Sequence, residues 1–418
     1  MKKKLTLFFA ILIILSGCTK QQINYQELDK NAAKKIATSE NVLIQKATAA
    51  GEVDIDAGVS LQQIRGFGGA NIRGWIADLT TDQRIKAFSP IDGIGLSVVR
   101  VRVPNVSTLF AAEKPTIDAA KSFGASVIAS AWSAPASMKD NNSTIGGKLK
   151  TTSFADYAAH LNSYCLAVGG VSAISPANEP NYSVSYESMN MTAAEVAAFV
   201  ADQGGNCGAP IMGPEPYNMS QTYINSYLSN ATANSNTAFL CGHIYGATPT
   251  AYSPGKEIWM TEHYTNSNDA NDWAGALGVA KEVHNCMNAG YSMYVWWYIR
   301  RSYGFIDESS NVTKRGYVMA HYSKWVRPGF TRVSCTANPS AGIYITAYKN
   351  GQKLVIVIVN ENSGIVYQPF NFSGLSISGF DRYVTTATNN LAHNSFTVTE
   401  SSFAVNVAGS SVTTLVSQ

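Results

Sequence analysis

The sequence predicts an α/β fold, a (β/α)8 TIM barrel with an attached antiparallel β-sandwich side domain, and three observations predict it. Short apolar runs suited to buried strands recur over residues 61–327, with amphipathic stretches of helical period between them. Eight such runs are present, and eight parallel strands joined by right-handed crossovers close on themselves. After Arg327-Pro328-Gly329 the helical stretches stop, and strand-like runs follow one another across Gly, Asn and Ser turns. An open doubly wound sheet is the runner-up fold.

The barrel strands are expected at Ile64–Gly68, Val98–Val103, Ser126–Ala131, Ala173–Ala177, Pro210–Gly213, Phe239–His243, Ile258–Thr261 and Met293–Trp297. Helices are expected between them at Thr81–Phe88, Thr116–Phe123, Phe154–Val168, Thr192–Asp202, Gln221–Leu228, Asn271–Ala289 and Gly316–Val326. In residues 328–418 the expected strands are Tyr344–Tyr348, Leu354–Asn360, Tyr367–Phe372, Arg382–Thr386, Ser395–Val398 and Ser411–Val416. Val53-Asp54-Ile55-Asp56 alternates apolar and polar as a half-exposed strand does and has no barrel partner, so residues 51–60 are assigned to the side domain.

The N-terminus reads as an export signal: Lys2, Lys3 and Lys4 precede the apolar run Leu5 to Leu15, which is short for a membrane span. Leu15-Ser16-Gly17-Cys18 resembles a bacterial lipobox, which implies cleavage of residues 1–17 and lipidation of Cys18. The expected product is exported and lipid-anchored to a bacterial membrane, at the cell surface or the periplasmic face. Residues 18–50 are polar and lack a sustained hydrophobic period, as a tether would.

Composition narrows the function. Hydrophobic residues make up 45% of the 418 and charged residues 14%, with 21 Tyr and 7 Trp, which suits an aromatic-rich binding surface and not a disordered or nucleic-acid-binding chain. Lys and Arg number 31 against 28 acids; removal of residues 1–17 takes three lysines and leaves a neutral chain, with no call for a polyanionic partner. The five cysteines beyond Cys18 are widely spaced, with no C-x-x-C, so they are expected as buried thiols with room for one or two disulfides. No H-E-x-x-H or G-x-S-x-G occurs, so neither a metal hydrolase nor a serine nucleophile is predicted, and no metal or cofactor is expected. Arg65-Gly66-Phe67-Gly68-Gly69 matches neither nucleotide-loop pattern.

The chemistry lies at strand ends, where barrels of this kind place catalytic groups. Glu179 ends the fourth strand in Asn178-Glu179-Pro180, and Glu262 ends the seventh in Trp259-Met260-Thr261-Glu262. Two carboxylates across a barrel mouth suit glycosidic cleavage: one protonates the leaving oxygen, and the other attacks or activates water. Glu215, in Gly213-Pro214-Glu215-Pro216, also follows a strand and is read as pocket-lining or structural. The eighth strand turns from Trp296-Trp297-Tyr298 to Arg300-Arg301, an abrupt change that suits a sugar bearing a carboxylate, its ring on the aromatic planes and its acid on an Arg fork.

These residues carry a resemblance. Asn178-Glu179-Pro180 with Thr261-Glu262 resembles the retaining glycosidases built on (β/α)8 barrels, and Arg65–Gly69, Trp259–Glu262 and Tyr294–Gly304 resemble the glucuronoxylanases of glycoside hydrolase family 30, subfamily 8, over residues 51–418. The resemblance implies Glu179 as acid/base and Glu262 as nucleophile. It places Asn178 on a sugar hydroxyl, Arg100 beside the nucleophile, and Trp132, His243 and Tyr245 in the same pocket. It assigns Tyr264, Ser267, Trp297, Arg301 and Tyr303 to a glucuronate side-chain pocket; Arg102 receives no role. The chain departs from the family at Trp132-Ser133-Ala134-Pro135, at Asn181 in place of Asp, and at Phe305 in place of Pro. The expected activity is retaining cleavage of the β-1,4-xylan backbone of (4-O-methyl)glucuronoxylan at positions set by a glucuronate branch, by a monomer. The alternatives are a family 30 endo-xylanase or other β-glycanase that ignores the branch, or a cell-surface glycan-binding lipoprotein without turnover.

Overall fold

The computed structural model describes residues 48–418 apart from residue 266, so Cys18 and the proposed signal peptide lie outside the described residues. Two N-terminal strands, the two-residue β1 (Thr48–Ala49) and the long β2 (Val53–Gln63), come first. The barrel follows as β3 (Gly66–Ala70), β4 (Val98–Val103), β5 (Ser126–Ala131), β6 (Ala173–Ser175), β7 (Ile211–Pro214), β8 (Thr237–His243), β9 (Ile258–Glu262) and β10 (Met293–Tyr298). All eight pair in parallel, and β10 returns to β3 to close the ring. The first strand begins two residues later than the pattern suggested, because Gly66 takes a backbone with φ of 142°. Gly68 lies so close to β4 that a Cβ would sit 2.1 Å from the Val98 carbonyl oxygen, so these glycines serve close strand packing.

Helices α1 (Thr81–Phe88), α2 (Lys114–Ser122), α3 (Phe154–Ala167), α4 (Ala193–Gln203), α5 (Gln221–Leu228), α6 (Ala231–Asn236), α7 (Trp273–Asn288) and α8 (Lys314–Ser323) ring the barrel. Thr80 with Gln83 and Thr192 with Glu195 form capping boxes that start α1 and α4. The short α6 was not legible: Ala-Thr-Ala-Asn-Ser-Asn has no apolar stripe, and it is set by the Asn230 side chain accepting from the amides of Thr232 and Ala233.

The second sheet contains β1 and β2 together with β11 (Thr331–Cys335), β12 (Ile343–Asn350), β13 (Lys353–Asn360), β14 (Val366–Ser373), β15 (Gly379–Thr385), β16 (Ala392–Thr397), β17 (Ser402–Val407) and β18 (Ser411–Ser417). The expectation of a purely antiparallel sheet is corrected here, since β14 runs parallel to both β1 and β2. The N-terminal segment enters from outside the hairpin order, which permits a parallel pairing that neighbouring strands joined by tight turns cannot make. Strands β11 and β17 also went unpredicted; β17 is only half-buried along most of its length and lacks a clean alternation. The two ends of the curled sheet meet where Phe380 and Phe396 pack on Phe403.

Alternation on β13 joins the sheet to the barrel. Leu354, Ile356 and Ile358 face the sheet's own core, whereas Val355, Val357 and Val359 belong to the core beneath the barrel helices. The stacked pair Trp325–Tyr383 and the buried His321, whose ring nitrogens lie 2.8 Å from the Thr414 and Thr385 hydroxyls, add to the same junction.

Candidate active site

The same two-residue period builds the site inside the barrel. An apolar plug of Val98, Ile128, Ala173, Met212, Cys241, Trp259 and Met293 fills its lower half. Two residues further along, the inward positions become Arg100, Ser130, His243 and Thr261, all fully buried. Alternation places each of these polar side chains directly above an apolar one.

Arg100 is the hub of this layer. Its guanidinium donates to Glu262 Oε2 at 2.6 Å, to Asn178 Oδ1 at 2.5 Å, to Glu215 Oε1 at 3.0 Å and to Ser130 Oγ at 3.2 Å. Trp132 covers it, 4.7 Å from guanidinium carbon to ring centre. The Asn178 oxygen is thus committed to Arg100, which leaves the amide NH2 as the group that faces a ligand.

Glu215 is the counter-charge beneath. Its Oε1 accepts from Arg100, from Ser130 Oγ at 3.1 Å and from Thr261 Oγ1 at 2.9 Å, and lies 3.4 Å from His243 Nε2. Burial works against its charge, yet Arg100 and then His243 outweigh burial and hold the carboxyl down at about 2. Glu215, expected as pocket-lining or structural, lies fully buried below the ligand-facing layer, with four site groups converging on one oxygen.

His243 lies between three acids. Nδ1 is 2.7 Å from Glu179 Oε1, and Nε2 is 3.4 Å from Glu215 and 3.9 Å from Glu262. Burial opposes protonation of the ring, but Glu262, Glu179 and Glu215 together lift its pKa to about 9. Burial also raises Glu179, with the neighbouring Glu262 adding to it and His243 pulling the other way. Glu262 is held in place by Arg100 and by Tyr245, whose hydroxyl donates to Oε1 at 2.8 Å. One carboxylate oxygen each of Glu179 and Glu262, with a His243 nitrogen, fall within 4.8 Å of one another. That separation admits a sugar whose anomeric carbon is attacked by one acid while its glycosidic oxygen is protonated by the other; the wider spacing of inverting enzymes is needed to hold a water.

Glu179 and Glu215 both have left-handed backbones, φ 46° and 55°; Glu215 directly follows the end of β7, and Glu179 lies four residues past the end of β6. Non-glycine residues seldom adopt this conformation, and it turns both carboxyls back over the barrel axis.

Above the acids opens a cleft of about 520 Å³ lined by Trp75, Trp132, Tyr182, Tyr186, Tyr217, Tyr245, Tyr264, Trp297 and Tyr298 among others. On one side the rings run Tyr182–Tyr217–Tyr245, stacked at 4.0 and 5.1 Å. Trp75 meets Trp132 at 5.2 Å on the other. Trp75, Tyr182, Tyr186 and Tyr217 were missed from sequence. All lie in loops that leave the C-terminal ends of barrel strands, and that position is the signal by which they were findable. Arg102, which received no role, donates to Glu187 Oε1 at 3.0 Å and lies 5.7 Å from the Trp75 ring, so it ties the loop after β6 to this wall.

The residues assigned to a branch pocket gather at one wall. Tyr264 stacks on Tyr303 at 5.2 Å, Trp297 meets Tyr298 at 4.4 Å, and the Arg301 guanidinium lies 5.5 Å from the Tyr298 ring. The two arginines diverge. Arg300 pairs with Glu308 at 2.7 Å and donates to the Ala77 carbonyl, whereas Arg301 remains 44% exposed with Glu308 only at 3.7 Å. Ser267 is half-buried, and its hydroxyl donates to the Asp269 carbonyl at 3.3 Å. Among the departures, Asn181 accepts from the Tyr217 amide at 2.9 Å, a bond an Asp oxygen would make equally well. Ser133 takes a hydrogen bond from the buried Lys139, and Phe305 is buried against Gly69 and Trp296. Cys165, Cys207, Cys241, Cys286 and Cys335 are free thiols.

No family model matches the chain. Glucuronoxylanase XynC of Bacillus subtilis (strain 168) is 37% identical over 390 residues, covering 88% of this chain and 92% of the relative. The chain belongs to glycoside hydrolase family 30, subfamily 8. Among solved structures, the family 30 subfamily 8 xylanase Xyn30A from Clostridium acetobutylicum superposes with a TM-score of 0.81 at 29% identity, covering 88% of this chain and 99% of that one. A family 30 endoxylanase from Clostridium papyrosolvens C71 gives 0.80 at 30% identity with the same coverage. Both match the barrel and side sheet together, so the family fold spans nearly all of the described residues.

Proposed function

We propose that this chain is a retaining endo-xylanase that cuts the β-1,4-xylan backbone of glucuronoxylan at positions set by a glucuronate branch. The observation that carries the reading is one wall of the cleft. The exposed Arg301 guanidinium lies 5.5 Å from the ring of Tyr298, which lines the same cleft as Glu179 and Glu262, as does Tyr264 of the Tyr264–Tyr303 stack.

In the first step Glu179 gives its proton to the glycosidic oxygen as Glu262 attacks the anomeric carbon. The carbon–oxygen bond breaks, the shortened chain leaves as an alcohol, and a glycosyl ester remains on Glu262. A raised Glu179 carries the proton this step needs. The carboxylate that remains faces the His243 cation at 2.7 Å. In the second step Glu179 takes a proton from water, whose oxygen attacks the same carbon and releases Glu262, so configuration is retained overall.

A carboxylate on a guanidinium fork makes charge-assisted bonds of roughly 1.5–3 kcal/mol. Arg301→Ala is therefore expected to lose about tenfold to a hundredfold in kcat/KM on glucuronoxylan, with unbranched xylo-oligomers little affected, since they never make the contact. A wild type that releases a ladder of unbranched products overturns the branch-directed reading and leaves a general endo-xylanase.

Leu5–Leu15 followed by Ser16-Gly17-Cys18 supports export and anchoring by acyl chains on Cys18, and the whole site on one chain supports a monomer. A Cys18→Ala variant should leave the membrane fraction; an unmodified mature N-terminus elsewhere, found by mass spectrometry, ends the lipoprotein proposal.

A further inference from the structure

Behind the branch wall lies a cation that the mechanism does not use. Arg315, at the start of α8, is fully buried. Its Nη1 donates to the Ser267 carbonyl at 3.1 Å and to the Tyr303 carbonyl at 3.0 Å, the backbones of two residues assigned to the branch pocket. Trp296 Nε1 donates to the same Tyr303 oxygen at 3.2 Å, and the guanidinium lies 5.5 Å from the Trp296 ring. The neighbouring backbone fastens the same two loops: Arg315 N donates to Ala270 O, Lys314 N to Asn271 Oδ1, and Ala270 N to Ser302 O.

Arg315 also lacks what Arg100 and Arg102 have, as does the buried Arg332. Arg100 and Arg102 each touch a carboxylate, but no carboxylate lies within ion-pair distance of Arg315 among the described residues. Its Nε and Nη2 have no hydrogen-bond partner there. A buried charge so poorly compensated is costly, and a nearby aromatic face offsets only part of that cost.

We propose that Arg315 is a positioning and specificity residue for the acidic branch: it fixes the loops bearing Ser267 and Tyr303 from beneath and turns an uncompensated positive charge toward an anion bound between them. This rests on the branch-directed reading above. The nearest acids that oppose such a field are Asp272, whose Oδ2 accepts from the Gly275 amide at the start of α7, and Asp269, whose Oδ1 accepts from the Asn271 amide in the loop before it. Both are engaged by backbone amides. A carboxylate arriving on Arg301 thus meets a second cation already desolvated and held in place.

The test compares wild type, Arg301→Ala, Arg315→Gln, Arg315→Lys and the Arg301→Ala/Arg315→Gln double variant on glucuronoxylan and on an unbranched xylo-oligomer, with urea unfolding run on each. Arg315→Gln is expected to lose roughly tenfold in kcat/KM on the branched substrate, chiefly through KM, and less than about twofold on the unbranched one. Arg315→Lys restores part of that loss, because it returns the charge. In the double variant the loss on branched substrate is no greater than in Arg301→Ala alone, since both side chains act on one carboxylate. Equal losses on both substrates, or fully additive losses in the double variant, overturn the proposal and leave Arg315 a structural residue. If Arg315→Gln does not fold, the ratio of the two substrates in Arg315→Lys decides in the same way. Should Arg301→Ala be selective and the Arg315 variants not, this inference falls alone; should wild type show no preference for the branch, both readings fall.

Discussion

Replacing Glu215 by Gln isolates the charge that holds the catalytic layer together. The amide keeps an oxygen where Arg100, Ser130 and Thr261 donate, so the hydrogen bonds survive and only the anion is lost. The carboxyl sits at about 2 in place of its ordinary 4.5, a displacement worth on the order of 3 kcal/mol by the rule that one pKa unit is about 1.4 kcal/mol. Removal of one partner from a buried ion pair costs about 3–5 kcal/mol in general, which agrees. Arg100 retains Glu262 and His243 retains Glu179, so the lower end of that range is expected. Urea unfolding measures the loss. NMR titration of His243 supplies an independent readout, since its pKa of about 9 should move toward 6.5 once one of its three acids is gone. The variant's activity should then fall most above neutral pH, where its ring has lost the proton that the wild-type ring still holds. A stability loss below about 1 kcal/mol together with an unmoved His243 titration would refute the argument.

Three further outcomes follow from the same geometry. Glu262→Gln and Glu179→Gln should each lower kcat by several orders of magnitude with folding intact, and NMR of the first-formed wild-type product should show the β anomer, because the acids stand too close for an intervening water; an α product rejects the retaining assignment. Stability should be greatest near pH 6.5 and decline on both sides, since below it the buried neutral rings of His284 and His321, held down at about 4 and about 3, take up protons more readily in the unfolded chain. Glu215's contribution disappears as pH falls from 4.5 through 2, and His243's as pH rises from 6.5 through 9, so a stability maximum at pH 9 contradicts this account. Glu308→Gln should lower KM on glucuronoxylan by up to about threefold, since the competing pair with Arg301 is long and exposed and such pairs are worth under about 1 kcal/mol; a raised KM would mean that Glu308 orders Arg301 for binding.

Much of this protein was legible in the residue order because its dominant signals are local. Short apolar runs bounded by turn residues located the barrel strands to within a few residues, and amphipathic stretches such as the one capped by Thr80 located most helices. The position of Glu179 and Glu262 at strand ends singled them out, since a parallel barrel directs every C-terminal strand end to one face. Spacing along the chain does not specify which groups meet across the barrel. Arg100 and Glu215 stand 115 residues apart, and their contact depends on the stagger with which eight strands close. The same holds for His243 between three acids, for the two loops that converge on Arg315, and for Glu308 dividing itself between Arg300 and Arg301. The parallel pairing of β14 with β2 joins residues about 317 positions apart, beyond the reach of any local pattern. Composition and periodicity determined the layers and supplied the chemical groups; the closed sheet decided which charges share a dry interior, and their pKa values depend on that.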